Sequence, residues 1–543
     1  MIRVAFILMG SVASLSAMAQ VGPWPMEGQD RWGTGRALAG PDPGTQLSPW
    51  IKYRVVGELV SHGPAIGAQG LGYFGSWIPS QVSKFSLATG SALGSFDTLG
   101  NFVQSTPAIG ADGQVYLAVA ANYSNSPPGR VFSIDPATMD YDWVFTTSAV
   151  KVNDWDSASP RIGPDGDVVI SSTTGHAWRL NETNGQPVWT KPGLEAAYHT
   201  MAFSRNDAVV YVANGSNLTA LNYSDGSLAW NFNAGSEAGA PSVAPDGTVM
   251  FGCDGGTVFA LNPNGTIRWS WLTLAAVRAA PAFSSNGRAY VSGYDSRLYS
   301  FDVASGARIW SYTVAGSLRE SPGVGFDGRI YVMTIGATLY CLMPDGSLSW
   351  SRVVPASEGR GPLSIGDDGT IYAAGSGIYA ITQAISSQPP EAFALVRGTH
   401  VSGGLAEVLS SDNQYLRYKP GITFSPSQPP VELTFDTTCP RTQMVRLDLR
   451  LESGASTTNL YQQIYMRDYQ TAQWVEVDAR QTTTLDSVVE LTLNQNLNRF
   501  IQPGTRTVRM RVTWKPNGPI FSIPWQVRID EVRFALLPAY VYP

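Results

Sequence analysis

The chain has 543 residues, 14% of them charged, with 55 Gly, 36 Pro and a formal net charge of −6. That length is too great for one ordinary domain, and the acidic balance excludes the basic faces that nucleic acids and anionic membranes select. Few charges beside many Gly and Pro suit short strands joined by tight turns.

Residues 1–19 read as a secretory signal peptide. Met1-Ile2-Arg3 is a minimal positive start, Val4–Leu15 is an apolar run, and Ala17-Met18-Ala19 is a cleavage signature. The run is shorter than a bilayer crossing requires, and no later stretch reaches that length. The expectation is an exported protein, periplasmic or extracellular, with no membrane span. Cys253, Cys341 and Cys439 are far apart and lack Cys-x-x-Cys spacing, so they read as small buried hydrophobes.

Trp24–Arg36, WPMEGQDRWGTGR, opens the expected mature chain. Ser48–Val56 reads as an isolated strand. From His62 to Gln383 one unit then recurs. Its clearest copy, Arg278–Val314, divides into four short strands, with Asn286-Gly287 between two apolar runs predicting a type I′ hairpin. Marker prolines stand at Pro64, Pro107, Pro160, Pro241, Pro281, Pro322 and Pro362, and Met201 fills the place in the remaining unit. Closing aromatics stand at Phe96, Trp143, Trp189, Trp230, Trp269, Trp310 and Trp350. A four-stranded repeat of about 40 residues predicts a propeller. The eighth unit, Gly361–Gln383, has three strands. Ser48–Val56 supplies the fourth, with Trp50 where Trp310 sits, and so closes an eight-bladed ring without exposed edges. Asp112-Gly113, Asp165-Gly166, Asp246-Gly247, Asp327-Gly328 and Asp368-Gly369 recur as the first turn of a unit. Turns demand these residue types, which sets aside a calcium reading.

Ser300–Trp310 (SFDVASGARIW), Ala260–Trp269 (ALNPNGTIRW) and Ala220–Trp230 (ALNYSDGSLAW) resemble the repeat of pyrroloquinoline-quinone (PQQ) type propellers, as does WPMEGQDRWGTGR. The resemblance implies a docking motif between blades built from an Asp or Asn, a Gly and a Trp, here Trp50, Trp143, Trp189, Trp230, Trp269, Trp310 and Trp350. That family contains quinoprotein dehydrogenases. It also contains propellers that bind no quinone, among them the propeller subunit of the bacterial outer-membrane assembly machine.

The expected domains are an all-β propeller over 20–385, a linker over 386–391 built on Ser386-Ser387-Gln388-Pro389-Pro390, and a β-sandwich over 392–543. In the last, Val445, Leu447, Leu449 and Leu451 alternate with charged residues, as do Val508, Met510, Val512 and Trp514 with polar ones, the mark of sheets with one wet face. This part resembles the jelly-roll domains appended to secreted bacterial proteins, a group that includes glycan-binding modules.

Residues just before each marker position should line the mouth of the central channel: His62, Gln104, Tyr198, His199, Arg278, Arg319, Glu320 and Arg360. Arg278, Arg319 and Arg360 in consecutive blades have the chemistry to hold a carboxylate or phosphate. The competing reading has Glu237, Glu320 and Glu358 neutralise them. Asp154-Trp155-Asp156, in a connection on the same face, reads either as a sugar-stacking loop or as one folded on itself. No catalytic residue and no metal site is expected. His62, His176, His199 and His400 are the only histidines, and His62 and His199 fall too far apart around the ring to be a joint ligand set. The resemblance implies, for a quinoprotein enzyme, adjacent cysteines over the cofactor and a calcium held by Glu, Asn and Asp; no adjacent cysteines occur. The reading is an exported, non-enzymatic binding or scaffolding protein without a cofactor, whose partners are envelope or extracellular proteins or glycans. The alternatives are a PQQ-dependent oxidoreductase with calcium, and glycan binding through the sandwich by Tyr461, Tyr465, Tyr469 and Trp474, aromatics that otherwise read as core. The residues leave the oligomeric state open.

Overall fold

The computed structural model describes residues 24–37, 49–55, 60, 62–120, 129–147, 158–197, 199–354, 361–383, 388–425, 427–493, 495–517 and 525–539. The expected signal peptide lies outside these residues. Among them, 24–37 with 49–383 form one compact unit and 388–539 another.

The first unit consists of eight antiparallel four-stranded sheets in sequential order, the blades of a propeller. Blade six shows the pattern: Ala282–Phe283 innermost, then Arg288–Gly293, Arg297–Asp302 and Arg308–Thr313. Burial falls from the second strand, where Ala289, Tyr290 and Val291 are wholly buried, to the fourth, where exposed residues alternate with half-buried ones. The hairpin at Asn286-Gly287 is not type I′. Gly287 has φ +78° while Asn286 stays at negative φ. Ser284 N–H closes the turn onto Arg288 O at 3.0 Å, so the loop is three residues long with glycine in the one left-handed place. The turn aspartates are used locally: Asp112 and Asp246 each accept the backbone N–H two residues on, at 3.0 Å.

In every blade the pairing of third and fourth strands carries a one-residue bulge at the same register. Closure follows the anticipated scheme: Pro49–Val55 pairs with Gly377–Gln383 and completes blade eight. The same bulge falls at Lys52, and the register of this strand corrects one expectation. Trp310 pairs with Ser300, and the equivalent partner of Ala380 in blade eight is Tyr53. Trp50 lies three residues further back, opposite Thr382. In blade one the same register place holds Gly94, opposite Lys84, and Phe96 sits two residues on.

Two-residue inner strands leave backbone groups facing the channel. The segment 24–37 satisfies them in turn. Trp24 and Ile66 exchange N–H···O bonds in blade one, and Ile109 N–H donates to Pro25 O in blade two. Phe203, Val243, Phe283 and Val324, in blades four to seven, donate to the carbonyls of Arg31, Trp32, Thr34 and Gly35 at 2.7–2.9 Å. In blade three a side chain makes the link. Arg161, 2% exposed, donates from Nε to Met201 O at 2.8 Å and from Nη1 to the carbonyls of Glu27 and Asp30. Asp30 braces the segment from within, accepting the N–H of Trp32 and Thr34 at 3.1 and 3.0 Å.

The second unit is a sandwich of two five-stranded sheets. One runs Ala392–Arg397, Val431–Thr438, Thr507–Pro516, Leu460–Asp468, Gln473–Gln481; the other Thr399–Ser402, Leu416–Lys419, Val527–Ala539, Gln443–Ala455, Ser487–Leu493. Leu447, Leu449, Leu451, Val508, Met510, Val512 and Trp514 face the core, as the alternation requires. The aromatic hairpin does not. Tyr461 is exposed and Tyr465 and Trp474 are half-buried, outside the core cluster. The guanidinium of Arg511 lies over both rings, 4.2 Å from Tyr465 and 4.5 Å from Trp474. Period two puts these side chains on the wet face once Ile464 and Met466 are buried.

Candidate functional site at the channel mouth

In a four-stranded blade, the second turn and the connection to the next blade reach the same face. There the channel opens in a pocket of about 40 Å³ lined by Glu27, His62, His199, Arg278, Tyr294, Arg319 and Glu320 with small residues between them. Of the residues singled out from sequence, five meet here: His62, His199, Arg278, Arg319 and Glu320. His62 and His199, from blades one and four, both line the opening. Gln104 is buried. Tyr198, Arg360 and the stretch Asp154, Trp155, Asp156 lie outside the described residues, as do Glu358 and most of the insertion in blade two.

Arg278 is held by Asp254, a turn residue that the sequence analysis did not single out. Its Nε and Nη2 donate to Asp254 Oδ1 and Oδ2 at 2.6 and 2.7 Å, with Glu237 Oε2 3.9 Å away. The bidentate bond to Asp254 holds the guanidinium above its ordinary pKa range, against the opposing effect of burial. Asp254 belongs to the second turn of blade five, so the rule that this turn class shares the face was the available signal. Tyr294 lies between two guanidiniums, 5.9 Å from Arg278 and 5.3 Å from Arg319. Glu27 enters from the N-terminal segment and accepts from Thr200 Oγ1 at 2.8 Å.

The blade seams carry the other set of candidates. Trp143, Trp189, Trp230, Trp269 and Trp310 each donate from Nε1 to a carbonyl in the next blade's third turn: Glu182, Tyr223, Pro263, Val303 and Pro344, at 2.8–3.1 Å. A glycine of that turn lies flat on each indole. A Cβ on Gly306 would stand 2.6 Å from the ring of Trp269, and Gly185, Gly226, Gly265 and Gly346 are placed alike.

The PQQ-repeat family model described as outer membrane protein assembly factor BamB matches residues 79–318 and 294–421. The chain belongs to this family. Among solved structures, the quinohemoprotein alcohol dehydrogenase of Comamonas testosteroni aligns at a TM-score of 0.56 and 13% identity, covering 72% of this chain and 87% of that one. A europium-containing methanol dehydrogenase aligns at 0.56 and 13%, covering 67% and 92%. These likenesses show the propeller fold. No curated protein matches the chain in sequence.

Besides the seam after blade eight, where Tyr53 stands in the Trp place, two seams of this PQQ-repeat ring depart from the Trp–Gly pairing. Between blades one and two the partners are exchanged. Gly94 takes the Trp place, and Met139, at φ +55°, takes the Gly place, its Cγ 3.0 Å from where a Cβ of Gly94 would lie. Between blades seven and eight the third turn is missing, since the fourth strand of blade eight comes from the other end of the chain. Trp350 is buried there, and among the described residues its Nε1 has no hydrogen-bond partner.

Proposed function

We propose that this chain is a non-enzymatic binding protein that holds a protein partner on the face bearing the channel mouth. The observation that carries the reading is a small mouth on a face that exposes apolar side chains in blades one, five and seven. The opening of about 40 Å³ has room for about three water molecules, and the segment 24–37 bonds to the inner strands behind it. On the same face Ile78, Leu99, Leu272, Leu274 and Val353 are each more than half exposed, the kind of surface that a protein partner covers. The name of the family, an outer-membrane protein assembly factor, favours a protein over a glycan as partner. Ring faces in the sandwich support glycan stacking less well, because Arg511 already covers Tyr465 and Trp474.

The residues present do not fit a quinone site. The three cysteines are separate and buried, and among the described residues no three His, Cys, Asp or Glu are grouped to hold a metal. The mouth is far below the volume of an ordinary ligand pocket, about 300 Å³ or more. Two measurements test the reading. PQQ added to the full exported chain at fixed calcium should give no saturable absorbance change; a saturable one reopens the oxidoreductase reading. Capture of envelope proteins should fall at least about tenfold in Leu274→Asp/Arg319→Glu, a pair of exposed changes whose effect on stability is small. Equal capture by both proteins would overturn the assignment to this face.

A further inference from the structure

Among the described residues, the three most exposed large apolar side chains are Phe424 at 89% and Ile422 and Leu485 at 78%. All three lie in loops at one end of the sandwich. Leu416–Lys419 and Gln473–Gln481 finish at that end, and Val431–Thr438 and Ser487–Leu493 begin there. The pairing of Val431 with Trp514, Tyr461 with Gln481, Val527 with Ala455 and Ser453 with Ser487 requires this arrangement. Ile422 and Phe424 belong to a connection between the second strands of the two sheets, and Leu485 to the connection between their fifth strands. The apolar tips are therefore roughly 15 Å apart across the sheets.

No residue of 420–430, 456–459 or 482–485 is charged. Charges begin just behind these loops, and the acids among them are taken. Asp486 pairs with Arg528 at 2.7 Å and Glu432 with Arg397 at 3.1 Å. Lys419, exposed, and Lys515, half-buried, have no acidic partner among the described residues. Tyr461, also exposed, stands opposite Lys515. The loop 420–430 is closed on itself. Gly421 N–H donates to Pro430 O, Phe424 N–H to Gln428 Oε1 and Gln428 N–H to Ser425 O, at 2.9–3.0 Å. Arg397 braces its base, donating to Pro429 O at 3.1 Å. Pro420, Pro429 and Pro430 have no N–H to satisfy. A protein partner supplies hydrogen bonds to a loop that it covers. Hydrocarbon supplies none, so a loop that enters lipid must meet its own backbone needs.

We propose that this end of the sandwich docks on a phospholipid surface. Phe424, Ile422 and Leu485 enter the boundary between headgroups and acyl chains, while Lys419 and Lys515 meet lipid phosphates. Tyr461 takes the headgroup level, where a ring with one polar end is favoured. Apolar burial carries the affinity, and the two cations add to it on anionic lipid. The acidic balance of the whole chain does not oppose this contact, because charges more than about 10 Å from the surface are screened. The contact is peripheral and calls for no spanning segment.

The test uses the full chain and vesicles of phosphatidylcholine with about one-third phosphatidylglycerol. The chain should float with the vesicles. Ile422→Ser/Phe424→Ser should weaken binding by about tenfold or more, and Lys419→Gln by about fivefold. Leu228→Ser, an exposed change on an outer propeller strand, should leave it intact. All these positions are exposed, so the variants should fold as the wild type does. A solvent-sensitive fluorophore on Ser425→Cys should shift to the blue when vesicles are added. On Gln473→Cys, at the other end of the sandwich, it should not. A folded wild-type chain that stays in the buffer at millimolar lipid overturns the proposal, as does equal binding by Ile422→Ser/Phe424→Ser. A blue shift given by lipid-free envelope protein and not by vesicles would assign the tip to a protein partner and overturn it too. Vesicle binding does not involve the channel mouth, so this result and that of the capture experiment are independent.

Discussion

At the scale of single residues, the ring is joined by contacts in which a missing atom matters as much as a present one. Each docking indole needs a neighbour without a Cβ, since the ring of Trp269 would meet one on Gly306 at 2.6 Å. Gly306 also sits at φ +74°, where a Cβ is strained. Gly306→Ala should therefore destabilise the propeller by about 2 kcal/mol or more in urea titration. The exchanged seam makes a sharper prediction. Met139 fills the space at Gly94 that an indole fills elsewhere. Gly94→Trp alone overpacks the seam, whereas Gly94→Trp with Met139→Gly restores the pairing of the other blades. A double-mutant cycle should give a favourable coupling of about 1–3 kcal/mol. Additive effects would show that Met139 and the Trp place do not share one space.

At the scale of elements, the segment 24–37 is the part of the propeller least like a repeat and the most widely connected. It bonds to the inner strands of seven blades, and in blade three the link depends on the buried Arg161. Arg161→Ala leaves the carbonyls of Glu27, Asp30 and Met201 without that donor, and should destabilise the unit by about 3 kcal/mol or more. It should also raise hydrogen exchange in 24–37 before exchange rises in the blades. Simultaneous exchange of both would mean that the segment is no separate unit of opening. The blades themselves were legible because turn chemistry and spacing recur: the marker prolines, the turn aspartates and the indoles repeat at one period. The role of 24–37 was not, because its bonds are made by backbone groups that any residue owns. The closing strand was legible but its register was not: tryptophan holds the place in six blades, whereas here it stands three residues before Tyr53, which fills it. Five residues that precede the marker positions line the mouth, whereas Glu27 and Tyr294 come from the N-terminal segment and a second turn, which the spacing did not single out. Asp254 was missed because a turn aspartate looks the same whether it caps its own loop or reaches for an arginine.

At the scale of the whole molecule, the repeat makes the ring respond as one body to a change that reaches every blade. In six of the eight blades the residue opposite the first position of the innermost strand is a tyrosine: Tyr73, Tyr116, Tyr211, Tyr290, Tyr331 and Tyr372. Their rings are buried. Desolvation raises Tyr73 and Tyr211 from 10.0 to about 12, and raises Tyr116 and Tyr290 as well. A phenol whose folded pKa lies above its unfolded one stabilises the fold fully below the unfolded value. Above it, the unfolded chain sheds a proton that the folded chain keeps. Stability is then lost as pH rises from about 10 toward 12 and beyond, by about 1.4 kcal/mol per pH unit for each tyrosine. With at least four tyrosines acting together, the loss steepens to about 5 kcal/mol per unit. The urea midpoint of the propeller should stay nearly flat up to about pH 10 and then collapse over little more than one unit, with the ionisation of these six tyrosines coming at the unfolding step rather than before it. Gradual ionisation of these tyrosines in a folded ring would mean that hydroxide reaches the seams, and that the blades do not seal one another as the burial of this layer requires.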